Sequence, residues 1–145
     1  MVPEINYWAV LIATASTMVV GSIWYTPKVF GARWARLANV DLDRQTSGLA
    51  AWMPIIVTVV VSFITAWVLA GATAIAWHFY GGGYLLAALG TGVILWAGFT
   101  AARMITHDAF EGRPSSLTVL NIAHELLTVL VMAIIIGVWP PAGTV

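Results

Sequence analysis

Charged residues are scarce in this chain, and cysteine is absent. Charged residues make up 8% of the sequence, whereas an ordinary globular domain has about 25%. Hydrophobic residues make up 61%, which is more than a small water-soluble domain can bury, because small domains have little interior. We therefore expect lipid to be the solvent of this protein. The lack of cysteine excludes a disulfide framework and thiolate chemistry.

Positive charge is also limited, since six basic residues balance six acidic ones. They are too few and too scattered for a nucleic-acid footprint. The sequence has no phosphate-cradling loop and no nucleotide fingerprint. Neither a nucleic-acid partner nor a cofactor is therefore expected. Only Glu4 carries charge ahead of the first apolar segment, which favours a retained helix over the alternative of a secretory signal, because signals begin with basic residues.

Four long apolar segments are present, and a bilayer core of about 30 Å needs about 20 helical residues. They predict one transmembrane domain over residues 1–145, with spans at about 5–26, 49–77, 84–106 and 115–139. The glycine-rich stretch 80–84 is short enough to make an antiparallel hairpin of the second and third spans. The expected fold class is all-α, an integral membrane four-helix bundle.

The basic residues predict the orientation of this bundle. All six lie in or beside the two connections that follow the first and third spans, namely Lys28, Arg33, Arg36, Arg44, Arg103 and Arg113. Because basic loops stay in the cytoplasm, we expect both connections to be cytoplasmic and both termini to be extracytoplasmic.

Small residues recur every four positions in three spans and predict close helix packing. The stripes are Ala9, Ala13, Thr17 and Gly21, then Ala66, Ala70 and Ala74, then Gly98 and Ala102. Four helices bury little more than each other, so we also expect a homo-oligomer, most simply a dimer.

The first connection begins with the motif "GSIWYTPKVFGARWARL", residues 21–37. Phe30, Trp34 and Leu37 follow the i, i+4, i+7 spacing of one helix face. This predicts a short helix at about 28–38 that lies in the membrane interface and contacts lipids, with Arg33 beside its apolar face. Trp24 and Tyr25 would belong to the same interfacial belt.

Two stretches, "INYWAVLIATAS…GSIWYTPKVFGARW" and "AFEGRPSSLTVLNIAHELL", together resemble a family of small bacterial membrane proteins, domain-of-unknown-function family seventeen-sixty-one. The matching positions are Gly21, Trp24, Tyr25, Thr26, Pro27, Phe30, Gly31 and Trp34, then Phe110, Glu111, Gly112, Arg113, Pro114 and Asn121. The resemblance implies a four-helix membrane fold in the bacterial cytoplasmic membrane and no established activity. His124 and Glu125 depart from the aromatic or apolar residues expected after that asparagine.

A polar cluster interrupts the fourth span. Asn121, Glu125 and Thr128 share one helix face, with His124 at its edge. A tight hairpin between spans three and four would bring Arg103 opposite Asn121, within reach of Glu125 one turn deeper. We therefore expect an Arg103–Glu125 ion pair supported by Asn121. Two further polar residues are expected in the same region, Thr100 and His107.

Several functions fit this cluster. The plainest is a structural clamp that locks two helices together, because membrane hydrogen bonds often act as glue. The function we favour is binding of a lipophilic or amphiphilic small molecule, with Glu125 and His124 as acid/base groups and with pocket walls from Trp67, Trp96 and Phe99.

Two alternatives remain open at this point. One is a proton-coupled carrier or small-ion pore built by a homo-oligomer, in which Glu125 holds a proton or a cation. The other is an accessory membrane subunit with a purely structural role. A metal site is not expected, because the spacing of His107, Asp108, Glu111 and His124 matches no tight zinc pattern.

Overall fold

The computed structural model describes residues 3–41 and 47–143, and the secondary structure in these ranges is helical. We name the segments α1 (Tyr7–Trp24), π1 (Pro27–Gly31), α2 (Ala32–Ala38), α3 (Leu49–Tyr80), α4 (Tyr84–Leu95), π2 (Trp96–Ala101), α5 (Ala102–Phe110) and α6 (Ser115–Val138). Both π segments are stretches of π-helix. Arg44 lies outside the described residues.

The prediction of an all-α four-helix bundle is confirmed. Four helices are long and apolar enough to cross a membrane, namely α1, α3, the continuous helix Tyr84–Phe110 and α6. The second and third helices reach Tyr80 and Phe110, a few residues beyond the ends expected at 77 and 106. One end of the bundle contains the turn at 81–83 and is called the glycine end here. The opposite end, with Arg36 and Arg113, is called the basic end.

The helices form a ring in which α6 packs against both α1 and α4, and α3 packs against the same two helices from the other side. The core lies toward the glycine end and includes Val10, Leu69, Ala88, Met132 and Ile136. Among the described residues α1 and α4 share no contact. Helix α6 therefore holds them together along one side of the ring.

The start of α1 is fastened to the end of α6. The Asn6 side chain caps α1 by accepting from the backbone N–H groups of Trp8, at 3.1 Å, and Ala9, at 3.2 Å. Such a cap satisfies donors that have no partner inside the helix. The amide nitrogen of Asn6 donates to the carbonyl oxygens of Trp139, at 3.2 Å, and Pro140, at 3.5 Å.

Two of the three small-residue stripes pack inside the bundle as predicted. Ala9, Ala13 and Thr17 are buried on α1, and Ala66 and Ala70 are buried on α3. The stripe on the third long helix differs, because Gly98 and Ala102 are exposed and a Cβ at Gly98 would meet nothing within 4 Å. That helix instead approaches α6 near Gly137, where a Cβ would lie 2.8 Å from the Cα of Leu85.

The bundle opens toward the basic end. All buried residues of α3 lie between Ser62 and Thr73, whereas residues 52–61 are exposed on every side of the helix. Helix α5 has no buried residue. The first half of α3 therefore stands away from the other helices, and the ring is closed only at the glycine end.

Candidate functional site

The polar residues of α6 lie where the bundle opens. Glu125 is on the core face of α6, because Val129, Met132 and Ile136 follow it at i+4, i+7 and i+11 and are all buried. Two turns earlier, at i−7, Thr118 is also buried. The Glu125 side chain is nevertheless 42% exposed. The packing on this face of α6 is thus interrupted at Glu125, and the carboxylate borders the opening.

His124 packs against the aromatic residues at the end of α1. Its ring centroid lies 4.9 Å from that of Tyr25 and 5.7 Å from that of Trp24. The His124 side chain is only 13% exposed, and its Nδ1 lies 3.4 Å from a carboxylate oxygen of Glu125. The two atoms are close but are not aligned for a hydrogen bond. His124 and Glu125 therefore form a dyad in which both ring nitrogens of His124 lack a hydrogen-bond partner among the described residues.

The segment π1 and helix α2 complete the aromatic cluster. Phe30 contacts Trp24 with ring centroids 4.4 Å apart, and Trp34 contacts Tyr25 at 5.2 Å in an edge-on arrangement. Phe30 and Trp34 are both half-buried, so their place in the membrane interface stays a prediction. Both rings turn back onto the end of α1, because the rings of Trp24 and Tyr25 are available there for aromatic packing. Arg33 is exposed, as expected for a flanking cation.

Gly31 makes this fold-back possible. Its N–H donates to the carbonyl oxygen of Thr26 at 3.0 Å, an i→i+5 bond that makes the segment π-helical. A Cβ at Gly31 would overlap the carbonyl oxygen of Tyr25 and would lie 2.7 Å from the carbonyl carbon. Only glycine leaves room for the chain to pass so close to Tyr25. The "Phe-Gly-x-x-Trp" part of the motif therefore builds the platform under His124.

Several buried polar atoms near the dyad have no hydrogen-bond partner among the described residues. They are Nε1 of Trp24, Oδ1 of Asn121, both ring nitrogens of His124 and Oγ1 of Thr128. Buried polar atoms are normally paired, and each exception calls for an explanation. Four such side chains around one half-exposed carboxylate are the pattern expected of a site that receives a polar group.

The predicted ion pair between Arg103 and Glu125 is wrong. Among the described residues, the basic side chain that Glu125 contacts is His124, which is charged only when its ring is protonated, and Arg103 is exposed. The rotation of α5 is set instead by Asp108, which accepts a hydrogen bond of 2.7 Å from the Thr118 hydroxyl on α6. Arg103 precedes Asp108 by five residues, so it points about 140° away around the helix.

The turn that joins α5 to α6 carries its own ion pairs. Nε of Arg113 lies 2.5 Å from Glu111 and 3.8 Å from Asp108. The hydrogen bond and the charge of Glu111 raise the pKa of Arg113, which keeps the turn's cation charged. His107 is exposed nearby, and Thr100 is half-buried. These two residues do not join the cluster around His124.

The predicted aromatic wall is not brought together either. Phe99 is 75% exposed and Trp67 is 46% exposed, both on the outer surface of the bundle. Trp96 alone turns inward, and its Nε1–H donates to the carbonyl oxygen of Ile122 on α6 at 2.9 Å. The cause is π2, which adds a residue to one turn, so that Thr100 and Ala101 rather than Phe99 face the bundle.

Sequence reasoning missed the role of Trp24, Tyr25, Phe30 and Trp34, which it assigned to the membrane interface. The signal was the motif itself, because a glycine fixed between aromatic residues indicates a close backbone approach. About a hundred residues separate this motif from His124. Nothing in the local pattern could therefore show that the two meet.

The fold and the site define a class: small all-helical proteins whose four long helices are apolar enough to cross a membrane. Within that class, this chain belongs to the family described as protein of unknown function (DUF1761), whose model matches residues 8–137. The resemblance found in the sequence is thus confirmed over nearly the whole chain. No curated protein and no solved structure matches it.

Proposed function

We propose that the protein binds a lipophilic or amphiphilic small molecule in the opening beside Glu125, while its four long helices cross a membrane. The observation that carries this proposal is the Glu125 carboxylate, which lies on the core face of α6 and is 42% exposed. Its partner His124 has both ring nitrogens buried and without hydrogen bonds. The dyad would hold the polar end of the ligand.

Depth in the membrane supports this proposal. Glu125 follows the first residue of α6 by ten positions, so it lies about 15 Å along the helix. An exposed carboxylate at that depth costs a few kcal/mol unless something pairs with it. A bound polar group would pair with it, and the apolar body of the ligand would lie against the exposed first half of α3.

The dyad also gives the site acid/base capacity. An imidazole nitrogen can accept or donate a proton, and Nδ1 of His124 lies 3.4 Å from a carboxylate oxygen of Glu125. A proton could therefore be passed to or taken from a ligand that reaches His124. Chemistry of this kind would need no cofactor.

The test is whether a ligand accompanies the purified protein. Wild type, His124→Phe and His78→Phe would be purified in mild detergent, extracted with organic solvent and analysed by mass spectrometry. Phenylalanine keeps a ring against Trp24 and Tyr25 but removes both nitrogens, and His78 is an exposed histidine at the glycine end. We expect a near-stoichiometric small molecule in wild type and His78→Phe and its loss from His124→Phe. Equal extracts from all three proteins would contradict the proposal.

A proton-coupled carrier is the second candidate, and the half-exposed His124–Glu125 dyad is the observation that favours it. Four helices are few for a complete pathway, so a carrier would need a homo-oligomer. The unpacked surface at Gly98 and Ala102 offers a place for a second copy to approach closely. Proton flux into liposomes that is lost in Glu125→Gln and kept in Glu111→Gln would favour the carrier over a binding protein.

We further propose that the bundle lies in the bacterial cytoplasmic membrane with its basic end in the cytoplasm and both termini outside. The support is the placement of the basic residues. Lys28, Arg33, Arg36 and Arg113 all lie at the basic end and are exposed. Membrane lipids are then the immediate partners, and the exposed cations are positioned for anionic headgroups.

A further inference from the structure

The charge around the opening is one-sided. Glu125 makes no ion pair with a lysine or arginine among the described residues, and its charged neighbour would be His124 when that ring is protonated. Arg103 faces away, and Arg33 and Arg36 are exposed on α2. The described part of the site therefore presents a carboxylate without a permanent counter-ion.

Two of the unpartnered polar atoms, those that α6 places one turn before and after Glu125, favour a ligand of positive charge, whereas the donor Nε1 of Trp24 belongs to the aromatic cluster beside His124. Oδ1 of Asn121 is an acceptor only, and Oγ1 of Thr128 can accept. The Thr128 side chain is more than nine-tenths buried, on the face of α6 that carries Glu125. A carboxylate, an amide oxygen and a hydroxyl together suit a group that carries positive charge or donates hydrogen bonds.

Aromatic rings adjoin His124, the residue beside the carboxylate. The ring of Tyr25 contacts both His124 and Trp34. Trp24 also contacts His124, with ring centroids 5.7 Å apart. Aromatic faces attract cations within about 6 Å, and such a site selects quaternary and protonated amines in particular.

The part of α3 that stands away from the other helices is apolar. Residues 52–61 of α3 have the sequence WMPIIVTVVV, with no charged side chain, and all are exposed. A small hydrophilic cation would gain nothing from this surface, because removing water from the cation would cost free energy. A cation attached to an apolar body would gain from both parts of the site.

We propose that the ligand class of this site is a lipophilic cation, a hydrophobic molecule that carries a quaternary or protonated amine or a comparable delocalised positive charge. The inference rests on the proposed function and names its substrate class. Glu125 neutralises the charge, Tyr25 and Trp24 present aromatic faces to it, and the first half of α3 contacts the apolar body.

The test uses three probes that share a body of phenyl rings and differ in charge: tetraphenylphosphonium, triphenylphosphine oxide and tetraphenylborate. Saturable binding of each radiolabelled probe to the purified wild-type protein in dodecyl maltoside would be measured by equilibrium dialysis, with empty micelles subtracted. We expect the cation to bind at least about tenfold more tightly than the neutral and anionic probes, since one favourable ion pair accounts for a factor of that order.

The variants that locate the binding are Glu125→Gln and its control Glu111→Gln. Glutamine keeps the shape of the side chain and removes its charge, and Glu111 lies in the exposed turn at the basic end. We expect Glu125→Gln to lose the preference for the cation and Glu111→Gln to retain it. The comparison of probes on the wild type does not depend on whether either variant folds.

The outcomes separate this inference from the function on which it rests. Saturable binding of the neutral or anionic probe as tight as that of the cation, lost in His124→Phe, would overturn the cationic class and leave a ligand site in place. Unchanged cation binding in Glu125→Gln would overturn the role of the carboxylate. If no probe binds saturably and no small molecule accompanies the purified protein, both proposals fail.

Discussion

At the scale of single residues, the position of Gly31 decides whether the aromatic cluster can form. The backbone of Tyr25 occupies the space in which any other residue would place its Cβ. The rings of Phe30 and Trp34 reach Trp24 and Tyr25 because the chain turns back so sharply at this point. The position of the rings that contact His124 therefore depends on Gly31.

Substitution of this glycine is therefore expected to be costly. Gly31→Ala should lower the free energy of unfolding by about 1–3 kcal/mol, because the methyl group overlaps backbone that cannot move independently. Gly90→Ala is the matched control, since a Cβ at Gly90 meets nothing within 4 Å, and alanine there should be neutral or stabilise the helix by up to about 1 kcal/mol. Thermal unfolding in detergent would measure both. Equal melting temperatures for the two variants would show that Gly31 has more room than its contacts indicate.

The residues of the candidate site were only partly predictable. Periodicity correctly selected Asn121, Glu125 and Thr128 as one face of α6, because helical spacing is a local property. The expected hairpin placed Arg103 opposite Asn121 but could not give the direction of its side chain. The rotation of α5 depends on the hydrogen bond from Thr118 to Asp108, which is a tertiary contact. Sequence spacing alone contains no information about it.

At the scale of elements, the π-helical segment π2 determines which side chains of the third long helix face the bundle. Buried residues follow the α-helical spacing at Tyr84, Ala88 and Gly92. After π2 the inward positions move on by one residue, so Phe99 turns outward. The prediction of a pocket wall at Phe99 assumed an unbroken α-helix, and a π segment leaves no pattern that composition would reveal.

The bond from Trp96 to α6 anchors this irregular segment. Trp96→Phe should lower the free energy of unfolding by about 0.5–1.5 kcal/mol, because Nε1–H then no longer satisfies the carbonyl of Ile122. Phenylalanine keeps a six-membered ring against the core but removes part of the indole, so a packing loss adds to the loss of the hydrogen bond. Trp67→Phe is the control, since that ring lies on the outer surface and should melt like the wild type. A loss in Trp67→Phe as large as in Trp96→Phe would mean that ring size, and not the hydrogen bond, is responsible.

At the scale of the whole molecule, the two ends of the bundle differ in charge and in packing. The glycine end is closed around the core, and the basic end is open and carries the exposed cations. The existence of four long helices was predictable because bilayer thickness imposes their length. The opening was not, because lipid-facing and cavity-facing residues on α3 are equally apolar.

The orientation can be tested with two matched cysteine variants, since the chain has no cysteine of its own. Tyr80 and Phe110 end the second and third long helices at opposite ends of the bundle, and both rings are highly exposed, at 82% and 91%. A membrane-impermeant maleimide added to intact cells should modify Tyr80→Cys and should reach Phe110→Cys only after permeabilisation. The reverse order would invert the topology, and labelling of both in intact cells would indicate dual insertion.

The contact of α6 with both α1 and α4 has a consequence for biosynthesis. Helix α6 is translated after the other three long helices, yet it joins α1 to α4 on the side of the ring opposite α3, and the Asn6 side chain reaches Trp139 and Pro140 beyond the end of α6. In a nascent chain that has inserted only its first three long helices, the helices therefore do not yet form a ring, and the aromatic cluster does not yet contact His124. The ring closes only when the ribosome finishes α6, so α1 and α4 stay unjoined on that side of the bundle until then.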